Sequence, residues 1–267
     1  MSKHVNIISK IVKIRQSNSY IPPIKLVDGG RVLLEKWVVP MRGLRHWHIY
    51  WNLNPGGRLI LPDKEIQMTP EMVYLLPPYL MFATESVSAF EHLYLDFCLE
   101  SEPFSRLKKE PVLFQSRDYL WLLEKCFQEP FSSLTAGALI LALLSDIPPE
   151  NFAPEGMKLM DSRIQNALDL ISSSFQAGQF KALSNKTLGR RLGMSTVNFQ
   201  HLFKHELKIS PHRYILNLRL AQAYELLKNS RRTIEEIADM TGFANRYQFT
   251  KSFTRLYKIS PGQFRKK

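Results

Sequence analysis

Between residues 32 and 97 the apolar positions come in short runs, rich in β-branched and aromatic side chains and broken by Gly and Pro at close intervals. The runs 31–39, 48–53, 73–76 and 92–97 have strand length, and Pro55-Gly56-Gly57 is a turn signal between two of them. Short strands separated by turns predict an all-β barrel or sandwich. Across 118–127 and 133–145 the rhythm becomes helical, with Tyr119, Leu122, Leu123 and Cys126 on one face. Two helices packed on a small barrel are the simplest arrangement, and apolar positions such as Trp121 and Leu139 are left to face a partner. The stretch 147–156 is rich in Pro and Gly, follows neither rhythm, and suits an interdomain linker.

Beyond it the pattern is helical and repeats itself. Lys208-Ile-Ser-Pro211 recurs as Lys258-Ile-Ser-Pro261, Phe199 and Phe203 recur as Phe249 and Phe253, and Tyr214 as Phe264. Upstream, Leu188-Gly189 with Gly193 matches Ile237-Ala238 with Gly242, one residue out of step. Self-similarity of this length predicts one supersecondary unit used twice. Each copy opens with a short helix, the second through a Thr233/Glu236 capping box. Gly193 and Gly242 follow at positions where a left-handed residue ends a helix. Ser195 and Asn245 then cap a second helix whose inner stripe is aromatic. A sharp turn between two helices, with a small residue at their crossing, is the logic of a helix-turn-helix. Ser210-Pro211 and Ser260-Pro261 start further helices, the first long enough to space the two units rigidly.

Charge changes the picture because it is uneven. The chain has 267 residues and a formal net charge of +12. Residues 1–156 carry 16 basic and 17 acidic side chains, whereas 157–267 carry 20 and 7. All of the excess lies in the repeated half, the footprint of a polyanion partner. No apolar run approaches the length of a membrane span. The basic segment 1–15 lacks a signal-peptide pattern, and Cys98 and Cys126 lack metal or redox spacing, so a cytoplasmic protein with buried thiols is expected.

The stretch 188–195 (Leu-Gly-Arg-Arg-Leu-Gly-Met-Ser), the pair Phe203-Lys204, and Tyr214-Ile215 with Arg219-Leu220-Ala221 resemble the AraC/XylS family of transcription regulators. So do Ile234-Glu-Glu-Ile-Ala238, Gly242-Phe243 and the closing Ser260-Pro-Gly-Gln-Phe-Arg265. The resemblance covers 161 to the end; the first half is similar, in strand rhythm only, to the cupin-like effector domains attached in that family. It implies a two-domain α+β protein: a cupin-like β-barrel with two packed helices for effector binding and dimerisation (1–146), a linker (147–160), and an all-α tandem helix-turn-helix domain (161–267). By position, Thr196, Val197, Gln200 and His201 of the first recognition helix, and Asn245, Arg246, Tyr247, Thr250 and Lys251 of the second, would face bases. Gln200 suits adenine, Arg246 guanine, and Val197 a thymine methyl. Arg190, Arg191, Lys204, Arg231 and Arg232 would meet phosphates. Thr254 stands where the family usually has a basic residue, and His201 where a longer one is usual. Double-stranded DNA, a small-molecule effector, a second copy of the chain and RNA polymerase are the implied partners.

In the first half, Trp37, Tyr50 and Trp51 cluster with Arg42, Arg45, His46 and His48. Aromatic faces beside planar polar groups suit a small, sugar-like effector in a barrel mouth, or equally a core filled by large side chains. His46-x-His48 invites a metal reading, but Asn52, Leu53 and Asn54 follow where metal-binding cupins place a glutamate, and only His92 comes later in this half. Neither metal nor other cofactor is expected. Two further readings remain: a cupin-type metalloenzyme with a basic nucleic-acid tether, and a ligand-independent architectural DNA binder. No Ser/His/Asp or Cys/His arrangement supports other enzymology.

Overall fold

The computed structural model describes residues 23–99, 104, 106–128, 131–154, 160–180 and 183–265. The basic segment 1–15 and part of the linker (155–159) lie outside them. The first half is built of nine strands among these residues: β1 (Ile24–Leu34), β2 (Val38–Arg42), β3 (Trp47–Asn52), β4 (Gly57–Ile60), β5 (Glu65–Gln67), β6 (Met72–Leu76), β7 (Phe82–Ser86), β8 (Phe90–Leu99) and β9 (Val112–Gln115). They form two antiparallel sheets, ordered β1-β8-β3-β6-β9 and β2-β7-β4-β5. Apart from β9, this interleaved order is that of a jelly roll, the double-sheet form of the cupin-like architecture. The run 31–39 is not one strand. It breaks at Glu35-Lys36-Trp37, where the chain crosses from one sheet to the other.

The central strand β3 is buried on both faces, and period-two alternation explains how. Trp47, Ile49 and Trp51 point outward into a core with helices α1 (Leu120–Phe127) and α2 (Ser133–Ser145), where Leu123, Leu139 and Leu143 are fully buried. Tyr50 points the other way, into a smaller core with Leu59, Tyr74 and Phe82. Leu139, expected to face a partner, is therefore core, while Trp121 is 60% exposed. The first part of the expected linker is docked on this domain. Phe152 bridges to Leu107, and Arg106 donates to the Ala153 carbonyl at 2.8 Å.

The second half is helical: α3 (Ser162–Gln176), α4 (Asn185–Arg191), α5 (Thr196–Leu207), α6 (Pro211–Asn229), α7 (Ile234–Met240), α8 (Arg246–Tyr257) and α9 (Pro261–Arg265). The pairs α4/α5 and α7/α8 are the repeated unit, with Gly193 (φ 66°) and Gly242 (φ 77°) in their turns. Ser195 and Asn245 cap α5 and α8 as expected, Thr233 and Glu236 form the capping box of α7, and Ser210 caps α6. Of the two cores of the helical half, the one around Phe199 and Phe203 takes in Tyr79 and Met81 from the sheet domain, and the one around Phe249 and Phe253 takes in Val38.

Candidate nucleic-acid interface and interdomain cavity

The recognition helices acquire their outward faces from the same stripe that fixes their inner ones. Phe199, Phe203 and Leu207 bury one side of α5, and Phe249, Phe253 and Tyr257 bury one side of α8. At helical spacing the remaining positions must face outward. Val197, Gln200 and His201 on α5, with Arg246, Tyr247 and Lys251 on α8, are exposed, whereas Thr196 and Thr250 are half-buried. Val197 (59%) and Tyr247 (74%) are large apolar or aromatic groups left in water, which suits contact with base methyls and sugars. Asn245 has a prior commitment, since its Oδ1 accepts the Gln248 amide at 2.8 Å as the cap of α8. The five basic residues assigned to phosphates, Arg190, Arg191, Lys204, Arg231 and Arg232, are all exposed and lie in or beside the same units.

A second site lies on the seam between the domains. The Tyr214 hydroxyl of α6 donates to the Gly43 carbonyl, Asn217 Nδ2 donates to the Met41 carbonyl at 2.8 Å, and Lys36 Nζ donates to the Tyr257 carbonyl at 3.4 Å. Tyr79 reaches across from the other side, its hydroxyl on Asp169 of α3 at 2.7 Å. This tyrosine sits at φ 64°, in the left-handed region, and its own N–H donates to the Leu44 carbonyl. Behind these contacts β2 and α6 wall a cavity of about 480 Å³.

Of the effector residues expected from sequence, Trp37, Arg42, Arg45, His46 and Tyr50 line this cavity. Trp51 does not: it belongs to the outer core, its Nε1 donating to the Pro70 carbonyl. His48 lies behind the lining, buried, with Nδ1 2.7 Å from Asp96 Oδ1. Burial alone would raise the Asp96 carboxyl; His48, and then His46 and Arg42, hold it below the ordinary carboxylate value. Burial, assisted by His48, lowers His46 to about 4, and burial lowers His92 to about 3. Both imidazoles are neutral at physiological pH. His92, remote in sequence, lies on the neighbouring strand opposite Asn52, and its Nδ1 is 2.7 Å from Asn52 Oδ1. Among the described residues no three His, Cys, Asp or Glu side chains are grouped as metal ligands.

Residues 188–267 match the profile of a family described as a helix-turn-helix domain. Over 109 residues (41% of this chain, 34% of the other) the sequence is 30% identical to the HTH-type transcriptional regulator MtrA of Neisseria gonorrhoeae. Over 120 residues (43% of this chain, 42% of the other) it is 31% identical to the HTH-type transcriptional regulator ExsA of Pseudomonas aeruginosa. Residues 188–267 thus carry an AraC-type helix-turn-helix domain. The chain matches only about two fifths of the length of these curated relatives. The whole fold is similar to that of ToxT from Vibrio cholerae, solved with an unsaturated fatty acid bound, at a TM-score of 0.62 and 14% identity over 92% of this chain and 96% of that one. At that identity the likeness is one of fold.

Sequence reading missed the α6 side of the cavity: Tyr214, Leu218, Ala221 and Lys228. Tyr214, Leu218 and Ala221 stand at helical spacing in the sequence, but an apolar stripe does not say which domain it meets. Asn217, polar yet 3% exposed, was the better signal, because a buried amide needs a partner from somewhere.

Proposed function

We propose that this chain is a sequence-specific DNA-binding regulator of transcription of the AraC family, and that a small molecule in the interdomain cavity sets how its two reading units are held. The observation that carries the reading is the pair of capped helices, α5 and α8, which leave Val197, Gln200 and His201, and Arg246, Tyr247 and Lys251, exposed on their outward faces. Gln200 and Arg246 read bases, Val197 packs on a thymine methyl, and the flanking arginines with Lys204 hold phosphates. Control through the cavity is supported by its position, since β2 and α6, which wall it, are hydrogen-bonded to each other. The fatty acid in ToxT supports a small-molecule occupant in a protein of this fold. The division into an effector domain (1–146), a linker (147–160) and a reading domain (161–267) belongs to the same proposal, with the cytoplasm as its location. A second copy of the chain docks through α1 and α2, where Trp121 and Leu134 (85%) are exposed. RNA polymerase is the further partner of a regulator of this kind.

Selection of bound sequences from a random DNA pool by the full chain, at two salt concentrations, tests the reading. The expected product is an asymmetric motif with two blocks about one DNA turn (roughly 34 Å) apart. Gln200→Ala erases one block and Arg246→Ala the other, each at a cost of about 1–3 kcal/mol in discrimination. Binding without any enriched motif, steeply weakened by salt, would mean that only phosphates are held.

A further inference from the structure

The chemistry of the cavity lining narrows its occupant further, an inference that rests on reading the cavity as the effector site. Three acids line it, and each already has a donor. Asp96 holds His48, Asp28 Oδ2 accepts the Tyr94 hydroxyl at 3.3 Å, and Glu225 accepts the Asn229 amide at 3.1 Å. The cations are not matched in this way. Arg42, Arg45 and Lys228 line the same space and make no ion pair among the described residues.

Arg42 is the half-buried one, and its Nε is sealed from water without a partner. Its two terminal nitrogens are not sealed and no hydrogen bond or ion pair among the described residues engages them, so they are what the guanidinium offers to an acceptor in the cavity. Its charge is felt at His46, Tyr50, Asp96, Tyr214 and Tyr257, which places it at the centre of the seam, between the domains. A planar, always-charged fork at such a point suits a carboxylate.

The inner end of the cavity has a different character. Trp37 lies 4.7 Å from the His92 ring and 5.6 Å from Tyr50, and His92 stacks on Tyr94 at 6.1 Å with planes 12° apart. Asn52 Oδ1 is an acceptor, so the bonded His92 Nδ1 carries the ring proton and leaves Nε2 as a lone pair. Nε2 is not among the sealed, unpartnered atoms, and the ring it belongs to lines the cavity. The low pKa of His92 keeps that lone pair available across the physiological range. Aromatic walls around one fixed acceptor suit a flat ring that carries a donor.

We propose that the cavity takes a planar aromatic carboxylate bearing a hydrogen-bond donor on its ring, with the carboxylate on Arg42 and the donor on Nε2 of His92. A sugar would leave Arg42 without a counter-charge. An alkyl acid would satisfy Arg42 but leave Nε2 unpaired and the ring walls without a stacking partner.

Calorimetric titration of the full chain with a matched set of probes decides it. 4-Hydroxyphenylacetate is expected to bind at one site, phenylacetate and cyclohexylacetate successively more weakly, and 4-hydroxyphenylacetamide at least tenfold more weakly than the acid. In Arg42→Gln, with its melting temperature checked against the parent, the preference of acid over amide disappears. Equal binding of cyclohexylacetate and phenylacetate, equal binding of acid and amide, tighter binding of oleate or D-glucose, or no heat from any probe at millimolar concentration overturns the proposal. Binding of the aromatic acid that leaves affinity for the selected DNA unchanged would uphold the ligand class and overturn control through the cavity instead.

Discussion

Phe199 and Phe203 in the first helix-turn-helix unit stand with ring centroids 5.6 Å apart and planes at 65°; Phe249 and Phe253 in the second unit have the same separation and angle. The agreement extends to the ends of the recognition helices, which close on left-handed lysines, Lys208 at φ 58° and Lys258 at φ 59°. What surrounds the two units differs. The first shares its core with the sheet domain through Tyr79 and Met81, with Met41 and Leu44 packed alongside. The second meets that domain through Val38 and the Lys36 hydrogen bond. Local sequence sets the geometry of each unit, and the neighbourhood sets how far its stability is tied to the rest of the chain.

The largest test of this contrast is the pair Phe203→Ala and Phe253→Ala. Each removes a fully buried ring and costs about 3–5 kcal/mol. Denaturation followed by hydrogen exchange should show the first loosening residues 77–81 of the sheet domain and the second leaving them protected; equal exchange there would break the contrast. Acid should produce a smaller, graded loss. His46 and His92 have folded pKa values near 4 and 3, below the ordinary 6.5, so their neutral forms stabilise the native state fully above pH 6.5. That contribution is lost as pH falls from 6.5 through the folded values, because the unfolded chain takes up protons first. The sheet domain and the first unit should weaken together over this range, ahead of the second unit, and His92→Gln should flatten the slope in a pH series of melting curves.

Glycine substitutions come next. Both turn glycines have positive φ, but a Cβ on Gly193 meets open space while one on Gly242 lies 2.7 Å from the Phe180 Cβ. Gly193→Ala should cost about 1–2 kcal/mol for the left-handed conformation alone, and Gly242→Ala about 2–4 kcal/mol with overpacking added. Equal thermal shifts would mean that Phe180 yields freely. The smallest difference is in the caps. Ser184→Ala and Thr233→Ala each lose about 1 kcal/mol, but only Thr233 belongs to a capping box. Hydrogen bonds from Thr233 hold Glu236 below the usual carboxylate value. The folded form is thus favoured above that value, and the extra worth of the Thr233 cap should fade as pH drops through it.

The repeated unit was legible because everything that defines it is local: a cap, a left-handed glycine and an aromatic stripe within about twenty residues. The sheet domain was legible in class but not in detail. β4 and β5 are four and three residues long, too short for alternation to declare itself. The inner and outer faces of β3 followed from period two, yet the clustering of Trp51 with Tyr50 in sequence concealed that their side chains point into different cores. The cavity was half legible. Its aromatic and cationic residues on β2 and β3 stood out, but their counterparts on α6 are about 170 residues away, and Tyr214 meets Gly43 only because of the interdomain packing. His92 was set aside as distant for the same reason, although strand pairing puts it opposite Asn52.

α6 is at once a wall of the cavity and the shaft between the two readers. At 19 residues it is roughly 28 Å long, from the rise of 1.5 Å per residue. A tilt of about 2° at one end therefore carries the other through roughly 1 Å, more than the spread of about 0.5 Å over which a hydrogen bond keeps its strength. A lever of this length turns a displacement no larger than a side-chain adjustment into the difference between two recognition helices in step with the turn of the duplex and two that are not.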